Sequence, residues 1–253
     1  MGHGDSKIPS PQMSLESAQR GVPPVIRAAY KKSWTKIIVH LGEPNKDPIY
    51  CLSLPQGFYG QMIMHDGPDP DSPALGGAKP DGWRVDFNIQ LPAIPGTDVG
   101  ESVEILRHTS KKSERYWFGL QVGEGANRHV ERFEWRRSHG SEVKSVGESK
   151  WGWKLVRLGN IVDDPNDDAE ASGEEPDRLD GFTSDGKEVV AVWADGSISW
   201  KNKTKIGTFE LRGSGLTGEL GTQWALMALL SCMCQWQALM MTSSTTTAIA
   251  ATT

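Results

Sequence analysis

The sequence predicts a mainly-β fold, a barrel or sandwich of short strands, with one apolar helix close to its C-terminal end. Three observations lead there. From about residue 26 to 160, and again from 188 to 211, apolar residues recur at every second position. Turn signals interrupt that pattern at short, nearly regular intervals. One later run, residues 222–241, is apolar on every side instead of one.

Residues 1–25 hold four prolines and no periodicity, which predicts a flexible tail. Strand patterning follows at 36–41, 49–54 and 61–65. It is cleanest at Val85, Phe87, Ile89 and Leu91, with Asp86, Asn88 and Gln90 between them. A strand with one face in a core and one in water requires that alternation. Residues 103–107 continue it, then Tyr116, Phe118, Leu120 and Val122, then Phe133 and Trp135, then 153–158. The turns between are Asp66-Gly67-Pro68, Pro80-Asp81-Gly82 and Pro95-Gly96. Residues 161–181, with nine Asp or Glu against one Arg, read as an acidic loop inserted in a domain spanning 26–241. Residues 188–193 and 198–200 read as a hairpin around Asp195-Gly196, and 205–211 as a last strand. The Thr/Ser/Ala tract 242–253 is expected to be disordered.

The stretch GSGLTGELGTQWALMALLSCMCQW, residues 213–236, admits three readings. Its GxGxxG follows a strand and precedes a helix, as a dinucleotide fold needs. No second strand ending in an acidic residue follows that helix, so the glycines read as a tight lead-in. A membrane span needs about twenty apolar residues, whereas this run is broken by Gln235 and Gln237 and lacks flanking Lys or Arg. A helix threaded through a barrel meets apolar groups on all sides, and that reading explains the whole run.

Short strands, then VVAVWADGSISW, then a strand leading through GSGLTGELG into WALMALL: this layout resembles the tubby C-terminal-like superfamily, which includes tubby proteins, phospholipid scramblases and LURP-one-related proteins. The likeness is greatest to uncharacterised fungal members and covers residues 26–241. It implies a closed antiparallel barrel of about twelve strands around a central hydrophobic C-terminal helix. No phosphoinositide-contacting Lys/Arg pair or scramblase-type cysteine cluster is matched, so no family residue role is carried over.

Few constellations carry chemistry. His40, His65, His108, His129 and His139 lack metal-ligand spacing, and Cys232 and Cys234 point apart on a helix. Cys51, Cys232 and Cys234 are too few for a disulfide framework, and no signal-type stretch opens the chain, so an intracellular or membrane-peripheral location is expected. Gly2 with Ser6 fits a myristoylation pattern too short to carry weight, and the Asn202 sequon is expected to stay unmodified. Asp164, Asn166, Asp168 and Glu175 mimic calcium-loop spacing, but Ala169 replaces the required glycine.

The net charge of −5 is local to the acidic loop; residues 105–158 hold twelve Lys or Arg against six Glu. Lys111, Lys112, Arg115, Arg128, Arg132, Arg136 and Arg137, interleaved with Phe133 and Trp135, form a candidate anion site. On a strand Arg132 and Arg136 would bracket Glu134. The expectation is a monomeric, non-enzymatic binding module with no cofactor, catalytic residue, metal or nucleic-acid partner. Anionic phospholipid headgroups or a protein are its expected partners, and a helix-filled barrel is expected to leave no interior pocket. The alternatives are an enzyme acting on a lipid or small molecule at rim loops near His65 and Asp66, or a scaffold acting through its acidic loop.

Overall fold

The computed structural model describes residues 8–31, 33, 36–81, 85–110, 113–123, 125–147, 149–160, 181–196 and 204–250. After a short helix α1 (Leu15–Arg20) come strands β1 (Val25–Tyr30), β2 (Ile37–Gly42), β3 (Tyr50–Leu54), β4 (Met62–His65), β5 (Ala74–Pro80) and β6 (Phe87–Leu91). Next are β7 (Ser102–Thr109), β8 (Arg115–Val122) and β9 (His129–Ser138), then helix α2 (Ser141–Val146). The chain ends with β10 (Gly152–Asn160), β11 (Val189–Asp195), β12 (Lys205–Leu211), the single turn α3 (Gly213–Leu216) and α4 (Thr222–Ala250).

Each strand pairs antiparallel with the next in sequence, and β12 returns to β1, closing a twelve-stranded barrel. Closure removes both sheet edges. About eight strands already enclose as much space as side chains can fill. Twelve enclose more, and α4 occupies the surplus. Inward residues such as Phe87, Ile89, Tyr116, Phe118, Phe133 and Trp135 meet Trp224, Leu226, Met227, Leu229, Leu230 and Met233 of the helix in one buried cluster. By length and composition Thr222–Ser243 could cross a membrane, and 78% of its most apolar 18-residue window is buried.

Polar bolts fix the helix along the axis. At the base of the barrel Gln223 Nε2 donates to Pro92 O and Gly100 O, at 2.9 and 2.8 Å. Midway, Trp135 Nε1 donates to Ser231 Oγ at 2.8 Å. At the mouth Gln237 Nε2 donates to Phe58 O and Gly60 O, at 2.7 and 2.8 Å. Each buried carbonyl or amide thus served avoids a desolvation cost.

The glycine-rich lead-in is a packing device. A Cβ on Gly215 would collide with Val190 O and the Trp224 ring, and Gly221, at φ 85°, turns the chain into α4. No βαβ unit is present among the described residues.

Several sequence expectations are corrected. Within the expected flexible tail, α1 is folded and docked: Ser14 caps it, Ser17 and Arg20 reach Asp66, and Met13 and Val22 pack on the core. β1 and β5 were not anticipated. The inward face of β5 is thinned to glycine, because a Cβ on Gly76 would lie 2.9 Å from Gln90 O and 3.2 Å from Leu230 Cδ1. The strand paired with β11 is Lys205–Leu211, while 198–200 lie outside the described residues. Helix α4 continues to Ala250 instead of ending at 241, with Thr242 and Ser243 hydroxyls returned to carbonyls a turn earlier. Apart from Gly181, the acidic loop lies outside the described residues.

Candidate functional site

Strand tops from around the barrel and the emerging half of α4 frame a pocket at the mouth, about 440 Å³ in volume. This corrects the expectation of an interior with no room left. α4 stays buried through Ala238, and the pocket opens on one side of it, beside Gln235, Trp236 and Ala238. β8 brings Tyr116, β10 Trp153, β11 Trp193 and β12 Ile206, while α4 supplies Trp236 and Met240. Their rings pack edge to face, Tyr116 on Trp153 at 5.7 Å and Tyr30 on Trp236 at 5.8 Å, which holds the apolar wall rigid.

Charge sits on the rim. Arg137, opposite Trp153 across the β9–β10 ladder, lays its guanidinium over that indole at 4.8 Å from the ring centroid. Its Nη1 reaches Asp195 Oδ2 at 3.4 Å, a single long contact, and the Arg137 side chain remains 41% exposed. Asp195 also accepts from Trp193 Nε1 at 2.9 Å. Burial pushes the Asp195 carboxyl above its usual range, against the opposing pull of Arg137 and Trp193. His108, 3.7 Å from Glu114 and tilted at 45° against Tyr116 with ring centroids 4.7 Å apart, lines the same pocket. Burial raises the Tyr116 hydroxyl, which stays protonated.

Two buried polar atoms in the wall, Gln235 Oε1 and His108 Nε2, have no hydrogen-bond partner. Gln235 is 5% exposed, lines the pocket, and has no hydrogen bond to its Oε1; its Nε2 makes only a long 3.4 Å contact to Ser231 O.

The basic residues singled out in sequence are divided by the fold. Arg115, Arg132 and Arg136 surround buried Glu134 on the outer surface, at 3.1, 3.4 and 2.8 Å. Arg136 also holds Asp185 at 2.9 Å, and Arg132 stacks 4.5 Å over Trp117. Arg132 and Arg136 do bracket Glu134. Arg128 is bound to Asp98 at the base, away from the others, and Arg137 alone faces the pocket. Lys111 and Lys112 lie outside the described residues. An anion at the outer cluster would have to displace a carboxylate from every described arginine there.

His65 and Asp66 have structural duties. His65 Nε2 meets Ser53 Oγ at 2.8 Å and its Nδ1 meets Ser72 O at 2.9 Å. Asp66 receives Ser14, Ser17 and Arg20 and so anchors α1. The three cysteines are buried free thiols; burial raises Cys51 to about 11 and Cys232 and Cys234 well above the usual value. Among the described residues no three His, Cys, Asp or Glu are placed to hold a metal.

Sequence reasoning missed Trp153, Trp193, Trp236 and Gln235 as site residues. The available signals were Gln235 interrupting an apolar run and Arg137 at a strand end beside an aromatic stretch. Compared with family models, curated proteins and solved structures, the chain matches none.

Proposed function

We propose that this protein is a non-enzymatic binding module that takes an amphipathic, lipid-like acid into the mouth of its barrel. The observation that carries the reading is the 440 Å³ pocket itself. It is walled by aromatic and aliphatic side chains, with one incompletely paired arginine on its rim, the composition typical of small-ligand sites. The apolar body of such a ligand would replace water against Trp153, Trp193 and Trp236. Its anionic head would meet Arg137, whose present partner is a single desolvated carboxylate. A barrel wrapped around its C-terminal helix also fits the proposed kinship with tubby-like proteins, so a phospholipid is one natural source of that chemistry.

Titration with dodecanoic acid tests the reading through intrinsic fluorescence, since three tryptophans line the site. Saturable quenching is expected, weakened about tenfold in Arg137→Met through loss of a charge-assisted contact. Ala238→Leu, which narrows the pocket from the helix side, is expected to weaken dodecanoic acid and neutral dodecanol together. Flotation with phosphatidic-acid vesicles separates a bilayer source from a free one. Absence of any saturable response to either amphiphile would sink the proposal.

A further inference from the structure

The polar chemistry of the pocket is unevenly satisfied, and the imbalance is informative. Arg137 and Asp195 at the rim face each other and reach solvent. Deeper, Gln235 presents a buried amide whose oxygen accepts nothing. The nearby glutamine on the same helix, Gln237, also has an unpaired oxygen, but it donates both Nε2 hydrogens to main-chain carbonyls at normal distances and does not line this pocket. That contact explains why Gln237 is present. No comparable bond explains Gln235, whose only partner is the carbonyl one turn back at 3.4 Å. Leaving an amide carbonyl dry and unpaired in an apolar wall costs stability, and a methionine or leucine would fill the same volume without that cost. A second polar atom in the same wall, His108 Nε2, is also buried without a hydrogen bond. It has only the 3.7 Å approach of Glu114.

We infer that the pocket is built for a ligand that is polar at both ends: an acid whose buried end carries a hydrogen-bond donor, a hydroxyl or amide N–H, read by Gln235. A hydroxyl suits the site because it donates to Gln235 Oε1 and can still accept from an imidazole N–H. A plain acyl chain would seal the carbonyl against methyl and methylene groups and leave it unpaired. The ligand class is therefore an omega-hydroxylated or otherwise distally polar acid instead of a simple fatty acid. This inference rests on the pocket being the binding site.

Three probes of nearly equal length test it by the same fluorescence titration: dodecanoic acid, omega-hydroxydodecanoic acid and omega-methoxydodecanoic acid. Wild-type protein is expected to bind the hydroxy acid about tenfold more tightly than the other two, the usual return on one buried hydrogen bond to an otherwise unpaired group. The methoxy compound keeps the oxygen and lacks the donor, so it isolates what Gln235 Oε1 needs. In Gln235→Met the preference should collapse to a ratio near one. The melting temperature of the ligand-free variant should equal or exceed wild type, because an unpaired carbonyl has been removed; this reading also reports that the variant is folded. Equal binding of all three acids to wild type overturns the inference while leaving the pocket as the binding site. Hydroxy and methoxy acids binding alike, or a preference that survives in Gln235→Met, overturns it as well. If none of the three binds, the pocket reading fails first.

Discussion

At the base of the barrel, where α4 enters, Arg157 gathers its surroundings completely. It donates twice to Glu131, at 2.6 and 2.8 Å, and also to Ser214 Oγ at 3.1 Å and Glu219 Oε1 at 2.9 Å. Glu188 accepts from the Ser214 backbone and hydroxyl, and His129 closes on Glu131 at 2.7 Å. At the mouth, where α4 leaves, Arg137 has one contact of 3.4 Å, and the oxygen of Gln235 has none. The same helix therefore ends one way in a closed polar network and the other way in a half-finished one. Unpaired neutral atoms occur at both ends, Trp224 Nε1 and Ser102 Oγ at the base among them, so the contrast lies in the arginines: Arg157 is multiply paired and Arg137 has one long ion-pair contact.

The sharpest way to break that contrast is to remove each arginine in turn. Arg157→Met strands Glu131, which is 3% exposed, and a buried charge without its partner costs about 3 kcal/mol. Arg137→Met removes a partly exposed pair with a long contact and should cost less than about 1 kcal/mol. Urea unfolding at constant slope reads both. Equal losses at the two ends would mean that the mouth, too, is structural.

The glutamine bolts refine the comparison. Gln237 is fully buried, so Gln237→Leu strands Phe58 O and Gly60 O and should cost about 2 kcal/mol. Gln223 is only partly buried, and of its two acceptors Pro92 is buried while Gly100 is exposed and can regain water; Gln223→Leu should cost about 1 kcal/mol. The reverse order would show that the base, not the mouth, sets the axial position of α4.

Local periodicity made the barrel, the enclosed helix and most strands legible, because alternation and all-round apolarity are properties of short windows. It failed where a strand carries little side chain: Gly76 and Gly77 in β5 are small because Leu230 and Ile8 approach them, a fact located elsewhere in the sequence. Pairing failed at β11 for a related reason, since a period-two run does not name its partner. The candidate site was the least legible part. Arg132, Glu134 and Arg136 could be placed on one face from spacing alone. The carboxylates that bind Arg128, Arg136 and Arg137, namely Asp98, Asp185 and Asp195, arrive from distant loops and strand ends. The pocket likewise exists only once Trp153, Trp193 and Trp236 are brought together by closure of the barrel.

The smallest expected effects are those of pH, and they too differ between the ends. At the base, the Asn127 carbonyl and then Glu131 raise His129 above the ordinary imidazole value. A group raised on folding binds its proton more tightly in the native state, so its contribution is complete below the unfolded value and fades as pH rises through the higher native one. Glu131, lowered chiefly by Arg157, works in the other sense: its contribution is complete above the ordinary glutamate value and fades as pH falls through its lowered native one. The base should therefore be most stable in mildly acidic solution, between the ordinary glutamate and histidine ranges, and His129→Asn should flatten the alkaline side only. At the mouth, Asp195 is raised by burial, so its contribution is complete below the ordinary aspartate value and fades as pH rises through the raised native one. Asp195→Asn should remove that slope and leave the rim neutral around Arg137. Melting temperature followed across the acidic to mildly alkaline range separates the two: a single slope abolished by either variant alone would mean that the ends titrate as one unit, against the separation that the geometry implies.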